Sequence, residues 1–522
     1  MQRETNTAAI LPSQVRAHWQ GIVAAISILV VVFLCLYNLT DYPLMWFDEG
    51  SHLHVPKTLV RFGVYADYSS EGFRYYGPTV GVGPTVMLPI AALLKLFGIG
   101  LLQARLVMAA YLLAAIFVFY RVARQLGSSW FAWVATALLV TSRGVSLLKF
   151  GRQLLGEVPG FFFLIAGFSF WYTTWKRVEW WRLGLVGLLL GLAMVTKYQY
   201  LLFLAPTLVL AWLVNLLYYR SVPQRVFIVP GLIAAACFAL WQAYQLVYLG
   251  PATIGENLVM LREAVSGAAM VFSPSRMAGS LKILFDPANY LGGLLPVLIY
   301  GFFCALPRKQ EGQQWGIVLI LVAVNLCWYV VASIGWWRYA FLGLAMSSLF
   351  VARFFNDLTD GFQLSGGTTG EELRLGLLGL RLSTLRVVLL LWLAAMIALP
   401  LGKSVWEIAV PSFNAPKAMA TYMNEHVSRD AVVETWEAEM GFLTDHNYHF
   451  PPADLLNKAV RYYHFGGPHP LEEYNFVQTA SPDYVLVGEF SEAVVLYPRD
   501  SLAKRYTLET KIGHYELYKL NR

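Results

Sequence analysis

The feature that most constrains this chain is a succession of apolar runs, each about long enough to cross a hydrocarbon core. A membrane span needs about 20 apolar residues, within a range near 17–25. Such runs lie at roughly 19–38, 103–121, 129–147, 159–175, 183–198, 199–217, 226–248, 290–306, 315–334, 339–355 and 386–402. Lipid offers the backbone no hydrogen-bond partner, so runs of this kind have to be helices. The count predicts about eleven transmembrane helices. Composition agrees, with 57% hydrophobic residues and only 14% charged, where a soluble domain carries about 25%. A single water-soluble globule would expose apolar surface it could not hide. Disorder is excluded by the same hydrophobicity and by 15% aromatics.

The charge divides the chain in two. Residues 403–522 hold 11 Lys/Arg against 16 Asp/Glu, and six of the nine His. Residues 1–402 hold 28 against 16. The expectation is a transmembrane domain over 1–402, with a first extramembrane loop at 41–100, and a soluble domain over 403–522. In that soluble domain, 415–427 reads as a helix. Ala431–Trp436, Asp483–Val487, Tyr506–Lys511 and His514–Leu520 read as strands, with a hairpin turning near Gly513. The segment Glu434–His449 is acidic and His-rich, but its spacing matches no standard metal site. The four cysteines all lie in apolar runs and form no metal or disulfide spacing. The run from about Gly21 to Leu36 has no small-residue cleavage site after it, so it is expected to stay as the first span.

Val86–Phe97 is apolar but too short to cross and contains Pro89, so it reads as an interfacial or re-entrant helix. With that reading and an inside N-terminus, the inner turns receive Arg121 and Arg124, Lys176, Arg177 and Arg182, Arg220 and Arg225, Arg308 and Lys309, and Arg353, Arg374, Arg381 and Arg386. This follows the positive-inside rule and places the tail outside. Basic residues at the ends of apolar runs answer to topology, so the basic body does not imply nucleic acid. Nor is there a Walker loop or a dinucleotide fingerprint.

Arg143, Lys149, Arg152, Lys197 and Arg338 go against that rule, since they fall on outer turns. Snorkelling to lipid phosphates would explain any one of them. An anion bound at that face would explain the set. The same face receives Trp46-Phe47-Asp48-Glu49 directly after the first span, and Glu157 at the start of the fourth. Asp48 reads either as a helix cap or as a general base, with Glu49 as a second acid or metal ligand. Glu157 reads either as an acid favoured by a helix dipole or as a partner facing Asp48. His52 falls one helical turn from Asp48, where a structural role is the plainer reading. Trp336, Trp337 and Tyr339 fit an interfacial aromatic belt.

This pattern resembles the GT-C superfamily of integral-membrane glycosyltransferases, and most of all glycosyltransferase family 39 with its protein O-mannosyltransferases and aminoarabinose transferases. The resemblance is carried by Trp46-Phe47-Asp48-Glu49, the Gly77–Pro89 loop, Arg152 with Gly156-Glu157-Val158-Pro159, Thr196-Lys197 and Arg338-Tyr339. It covers most of residues 15–355 in order. It implies a donor sugar on a polyprenyl monophosphate and transfer with inversion to a hydroxyl of a lipid, glycan or protein acceptor. It also implies a multi-pass protein of the bacterial cytoplasmic membrane, with the soluble domain extracytoplasmic. Asp48 would be the base and Glu157 a second acid. Arg152, Lys197, Arg338 and Tyr339 would hold the donor phosphate. No cofactor is certain; a divalent cation, if one binds, would fall to Asp48, Glu49 and Glu157. Two departures stand out. Gly81-Val82-Gly83-Pro84-Thr85 lacks the Lys that many relatives carry there, and no Trp-Trp-Asp motif of oligosaccharyltransferases occurs. Rival functions are a transporter or flippase of lipid-linked sugars and a non-catalytic envelope-assembly subunit. A transporter would favour inverted repeats and polar groups near mid-membrane; no internal repeat is visible.

Overall fold

The computed structural model describes residues 13–75, 81–363, 382–410, 412–466, 469 and 474–521. The chain is a multi-pass helical membrane protein with a small C-terminal α/β domain. Helix α1 (Ser13–Leu36) is followed by a polar loop that holds α2 (Phe47–Phe62), a two-stranded hairpin of β1 (Asp67–Ser69) and β2 (Gly72–Arg74), and α3 (Pro84–Phe97). The bundle continues with α4 (Leu101–Leu126), α5 (Ser129–Thr141), α6 (Leu147–Arg152), α7 (Glu157–Thr174), α8 (Trp180–Thr196) and α9 (Gln199–Val214). Next come α10 (Arg225–Ala264), α11 (Pro274–Leu281), α12 (Leu294–Ala305), α13 (Gln310–Ala332), α14 (Phe341–Leu358) and α15 (Leu382–Ala409).

Among the described residues, six helices are long and apolar enough to cross a membrane by length and composition. Shorter apolar helices include Gly21–Leu36, Ser129–Thr141, Trp180–Thr196 and Leu294–Ala305. Each of the eleven runs read from the sequence coincides with a helix, and the differences lie at the ends. The third run is cut at Thr141, where Ser142, Arg143 and Gly144 leave the helix before α6 resumes the path. The seventh run continues past a kink at Gly250-Pro251 as far as Ala264. A proline cannot extend the preceding hydrogen-bond ladder, so the kink belongs there. Helix α15 continues past residue 402 to Ala409. The stretch at 274–289, which had no assignment from sequence, holds α11 and a short 3-10 turn at Lys282–Leu284, and the 290–306 run opens with a second 3-10 turn at Tyr290–Gly292. Arg374, Arg381 and the Gly77–Val80 part of the first loop lie outside the described residues.

Helix α7 is nearly all buried and packs against α4 and α8, while α8 packs against α10. Trp171 of α7 is fully buried and donates its indole N–H to the Val226 carbonyl at 2.8 Å. Burying a Trp this deep is affordable because its one polar group is satisfied.

The C-terminal domain opens with α16 (Ala415–His426), one residue from expectation. Its sheet has the order β4-β3-β5-β7-β6, from β3 (Val432–Thr435), β4 (Asn447–His449), β5 (Tyr484–Val487), β6 (Tyr506–Ile512) and β7 (Tyr515–Leu520). Strand β3 runs parallel to β4 and β5, and β7 is antiparallel to both its neighbours. Side chains alternate in β5: Leu486 joins a core with Met419, Met423 and Leu517, whereas Val485 and Val487 join one with Trp436 and Leu496. Strand β4 had no signal of its own, because three residues inside a polar segment show no period. Between β3 and β4 lies α17 (Ala438–Leu443), which rests on α2.

That contact ties the soluble domain to the loop after α1. A Cβ on Gly50 would fall 2.2 Å from the Glu439 backbone nitrogen, so only glycine permits the approach. Lys57 donates to the carbonyls of Gly441 at 2.7 Å, Phe442 at 3.1 Å and Thr444 at 2.6 Å, and pairs with Asp445 at 2.9 Å. These carbonyls belong to the end of α17 and the residue after it, so a cation there meets the negative pole of the helix. Phe47 stacks on Phe490 with ring centroids 4.4 Å apart.

Candidate active site

Four residues from distant segments meet at the end of the bundle that bears the C-terminal domain. Asp48 stands in the first turn of α2, and Arg338 in the 3-10 turn that leads into α14. Their side chains form an ion pair and each keeps about one fifth of its exposure. Glu157 begins α7, where the helix dipole favours an acid. Lys197 sits in extended backbone at the sharp turn between α8 and α9. These two also pair, and both are buried. One oxygen of Glu157 meets Lys197; the other is buried without a hydrogen-bond partner. The Tyr200 hydroxyl donates to the Glu157 backbone carbonyl at 2.6 Å and fixes the start of α7.

Aromatic rings surround the Arg338 guanidinium. It lies 5.0 Å from the Trp336 ring centre, 5.7 Å from Trp46 and 5.9 Å from Tyr339. Ring faces are negative, so they hold the cation and orient its N–H groups. Burial pushes the Asp48 carboxyl up, but the Arg338 guanidinium outweighs it, helped by His52 and Lys197, and holds the group below the usual carboxylate range. Burial pushes the His52 imidazole down against the opposing charge of Asp48.

The loop that lacks the expected lysine is docked beside this cluster. The Gly83 backbone N–H donates to the Thr196 carbonyl at 2.9 Å, and the Thr85 and Thr196 hydroxyls lie 2.7 Å apart. A Cβ on Gly83 would stand 1.8 Å from the Val195 carbonyl oxygen, so glycine is required here.

Two expected site residues do not join the cluster. Glu49 and Arg105 are fully buried and pair through two contacts, 2.8 and 2.5 Å. Arg105 also donates to the carbonyls of Leu39 at 2.6 Å and Pro43 at 2.8 Å, and Glu49 accepts from the Leu154 N–H at 3.2 Å. Every strong group of the pair is therefore committed to holding the loop after α1 against α4. Arg152 is also fully buried. It donates to the backbone carbonyls of Leu34 at 2.5 Å, Tyr37 at 2.6 Å and Tyr42 at 3.1 Å. It braces the chain where it leaves α1, and its donors are not turned to a phosphate. Arg143 pairs with Glu407 at 3.2 Å, and Lys149 is exposed. Among the described residues no group of three His, Cys, Asp or Glu side chains could hold a metal ion. Asp48, Glu49 and Glu157 thus do not converge.

Sequence reasoning missed Arg105, although a signal existed: it is the lone charge near the start of a long apolar run, and intramembrane charges have partners. It also passed over Tyr200 and Thr85, which carry no signal apart from their neighbours in space.

The comparisons with known proteins converge on one fold. ArnT from Cupriavidus metallidurans, solved bound to undecaprenyl phosphate, matches with a TM-score of 0.64 at 12% identity over 96% of this chain and 98% of its own. The chain has the GT-C fold. A family model described as dolichyl-phosphate-mannose-protein mannosyltransferase matches residues 82–244. The archaeal oligosaccharyltransferase AglB from Archaeoglobus fulgidus, in complex with an inhibitory peptide and a dolichol-phosphate, matches with a TM-score of 0.57 at 13% identity. That match covers 97% of this chain and 75% of AglB. No curated protein matches by sequence. The family-model match contains α3 to α9 and most of the apolar half of α10, and with them Glu157 and Lys197. Asp48 and Arg338 lie on either side of it.

Proposed function

We propose that this chain is a glycosyltransferase that moves a sugar from a polyprenyl-monophosphate donor to an acceptor hydroxyl at the outer face of the bacterial cytoplasmic membrane, with inversion. The observation that carries the reading is the pairing of two carboxylates with two cations, Asp48 with Arg338 and Glu157 with Lys197, at one end of a GT-C bundle. The GT-C neighbours solved with undecaprenyl phosphate and with dolichol-phosphate support the donor class.

The arrangement suits the chemistry. Negative charge grows on the phosphate as the glycosidic bond breaks. Fixed cations in a site sheltered from water then stabilise the transition state more than the ground state. Lys197 and Arg338 supply those cations, and Tyr339 and Trp336 hold Arg338 in place. The arriving phosphate competes with Asp48 for Arg338, which frees the carboxylate to accept the hydrogen of the acceptor hydroxyl. Glu157 positions Lys197. Positioning donor and acceptor together removes a large part of the entropic barrier. The C-terminal domain rests on α2, which carries Asp48, so it is placed to shape the acceptor side of the site.

The test is transfer by purified protein in lipid bilayers, with undecaprenyl-phosphate mannose and undecaprenyl-phosphate aminoarabinose as donors and a bacterial envelope extract as acceptor. Labelled sugar should move to the extract and free undecaprenyl phosphate should accumulate. A flippase would instead move the intact donor between leaflets without releasing the phosphate, and that result would replace this reading.

A further inference from the structure

Asp48 has a neighbour that the proposed chemistry has not used. His52 lies one turn along α2 from Asp48, on the same face. Its Nδ1 is 3.0 Å from the carbonyl oxygen of Leu154, in the turn between α6 and α7. A carbonyl oxygen can only accept, so Nδ1 carries the hydrogen and, in the neutral ring, Nε2 carries the lone pair. Nε2 has no hydrogen-bond partner among the described residues. A Cβ added at Gly81 would stand 3.8 Å from it. The charged groups around the ring are Asp48 on its own helix, Lys197 from the end of α8, and Arg338 from the turn before α14. A ring with one nitrogen pinned and the other open, one helical turn from a carboxylate, has a lone pair free to take a proton.

Asp48 alone is a poor store for that proton, because the surrounding cations favour its ionised form. We propose that His52 completes the transfer as the terminal proton acceptor, its Nε2 taking from Asp48 the proton that the acceptor hydroxyl loses. This rests on the transferase reading above. The bond from the acceptor oxygen to the sugar C1 forms as the bond from C1 to the phosphate oxygen breaks. The electron pair of that bond leaves with the polyprenyl phosphate, toward Lys197 and Arg338. The hydroxyl proton passes to the Asp48 carboxylate, then to Nε2 of His52, and from there to water. Sugar, phosphate and charge all balance without a further reactant.

The experiment uses the full-length protein in bilayers with undecaprenyl-phosphate mannose or aminoarabinose, whichever the wild type turns over. His52→Asn keeps an N–H to meet the Leu154 carbonyl and removes the lone pair, so it preserves the local fold. It is expected to lower kcat by about 10²–10⁴-fold, the range for lost general acid–base catalysis, with the donor KM unchanged. In wild type, kcat should fall as pH drops through a value below the ordinary 6.5 of histidine. Protonated His52 cannot accept, and His52→Asn should lose that limb. Added imidazole should restore His52→Ala in proportion to its neutral form, which a purely structural histidine would not allow. The proposal is overturned if His52→Asn stays within about threefold of wild type. It is equally overturned if His52→Ala is not rescued and the acid limb persists in His52→Asn. Absence of any turnover in wild type would instead count against the transferase reading, which separates the two failures.

Discussion

Asp48 and Glu49 are adjacent in sequence and both pair with an arginine, yet the two pairs do different work. Glu49 and Arg105 are sealed from solvent, joined twice, and surrounded by backbone groups that take up the remaining donors and acceptors. Asp48 and Arg338 meet at one point, keep some exposure, and are ringed by aromatic faces. A closed pair holds structure, and removing either partner leaves an uncompensated buried charge. An open pair can exchange its partner for a ligand. Neighbouring acids one helical step apart point to different sides, which is how one short motif serves both tasks.

Breaking the closed pair should have the largest effect. Arg105→Ala is expected to cost about 3–5 kcal/mol of stability, read as a large fall in the thermal unfolding temperature in detergent. An unchanged melting curve would deny the pair its structural role. Asp48→Asn should do the reverse: unfolding close to wild type, with transfer down by about 10²–10⁴-fold. Next comes the clamp. Arg338→Lys keeps the charge but loses the planar fork and its stacking, so donor affinity should drop by about tenfold or more in a binding titration. Lys197→Ala should weaken donor binding similarly, and equal affinity in both variants would contradict the phosphate assignment.

The smallest effect concerns the seam between the loop and the C-terminal domain. His449 pairs with buried Glu434 on one nitrogen and lies 3.4 Å from Glu71 of the membrane domain's hairpin on the other. Burial works against its charged form, but Glu434 outweighs that, helped by Glu71, and its pKa is raised. A group raised in the folded state contributes stability in full below its unfolded value near 6.5, and that contribution fades as pH rises through the higher folded value. The protection of β4 amides, measured against the intrinsic base-catalysed exchange rate, should therefore fall between neutral and alkaline pH, and His449→Gln should flatten the change.

Much of the fold was legible because bilayer thickness is a hard ruler: each apolar run found a helix. What escaped was decided by contacts distant in sequence. Strand β4 exists because β3 offers it an edge, not because residues 447–449 show a period. The placement of Asp48, Glu157, Lys197 and Arg338 at one end could be read from topology alone. The fate of Glu49 and Arg152 could not, because it depends on Arg105 and on the carbonyls of Leu34, Tyr37 and Tyr42. Of the charges placed against the positive-inside bias, Arg143, Arg152, Lys197 and Arg338 have partners and Lys149 is exposed, and the bias alone does not say which is which.

The most direct measurement is single-turnover release of undecaprenyl phosphate from an undecaprenyl-phosphate sugar, comparing wild type with Asp48→Asn in the same bilayers. Wild type should release the phosphate and transfer the sugar, and the variant should lose at least about a hundredfold with its fold intact. Equal release by both proteins would contradict the role of Asp48 as the base.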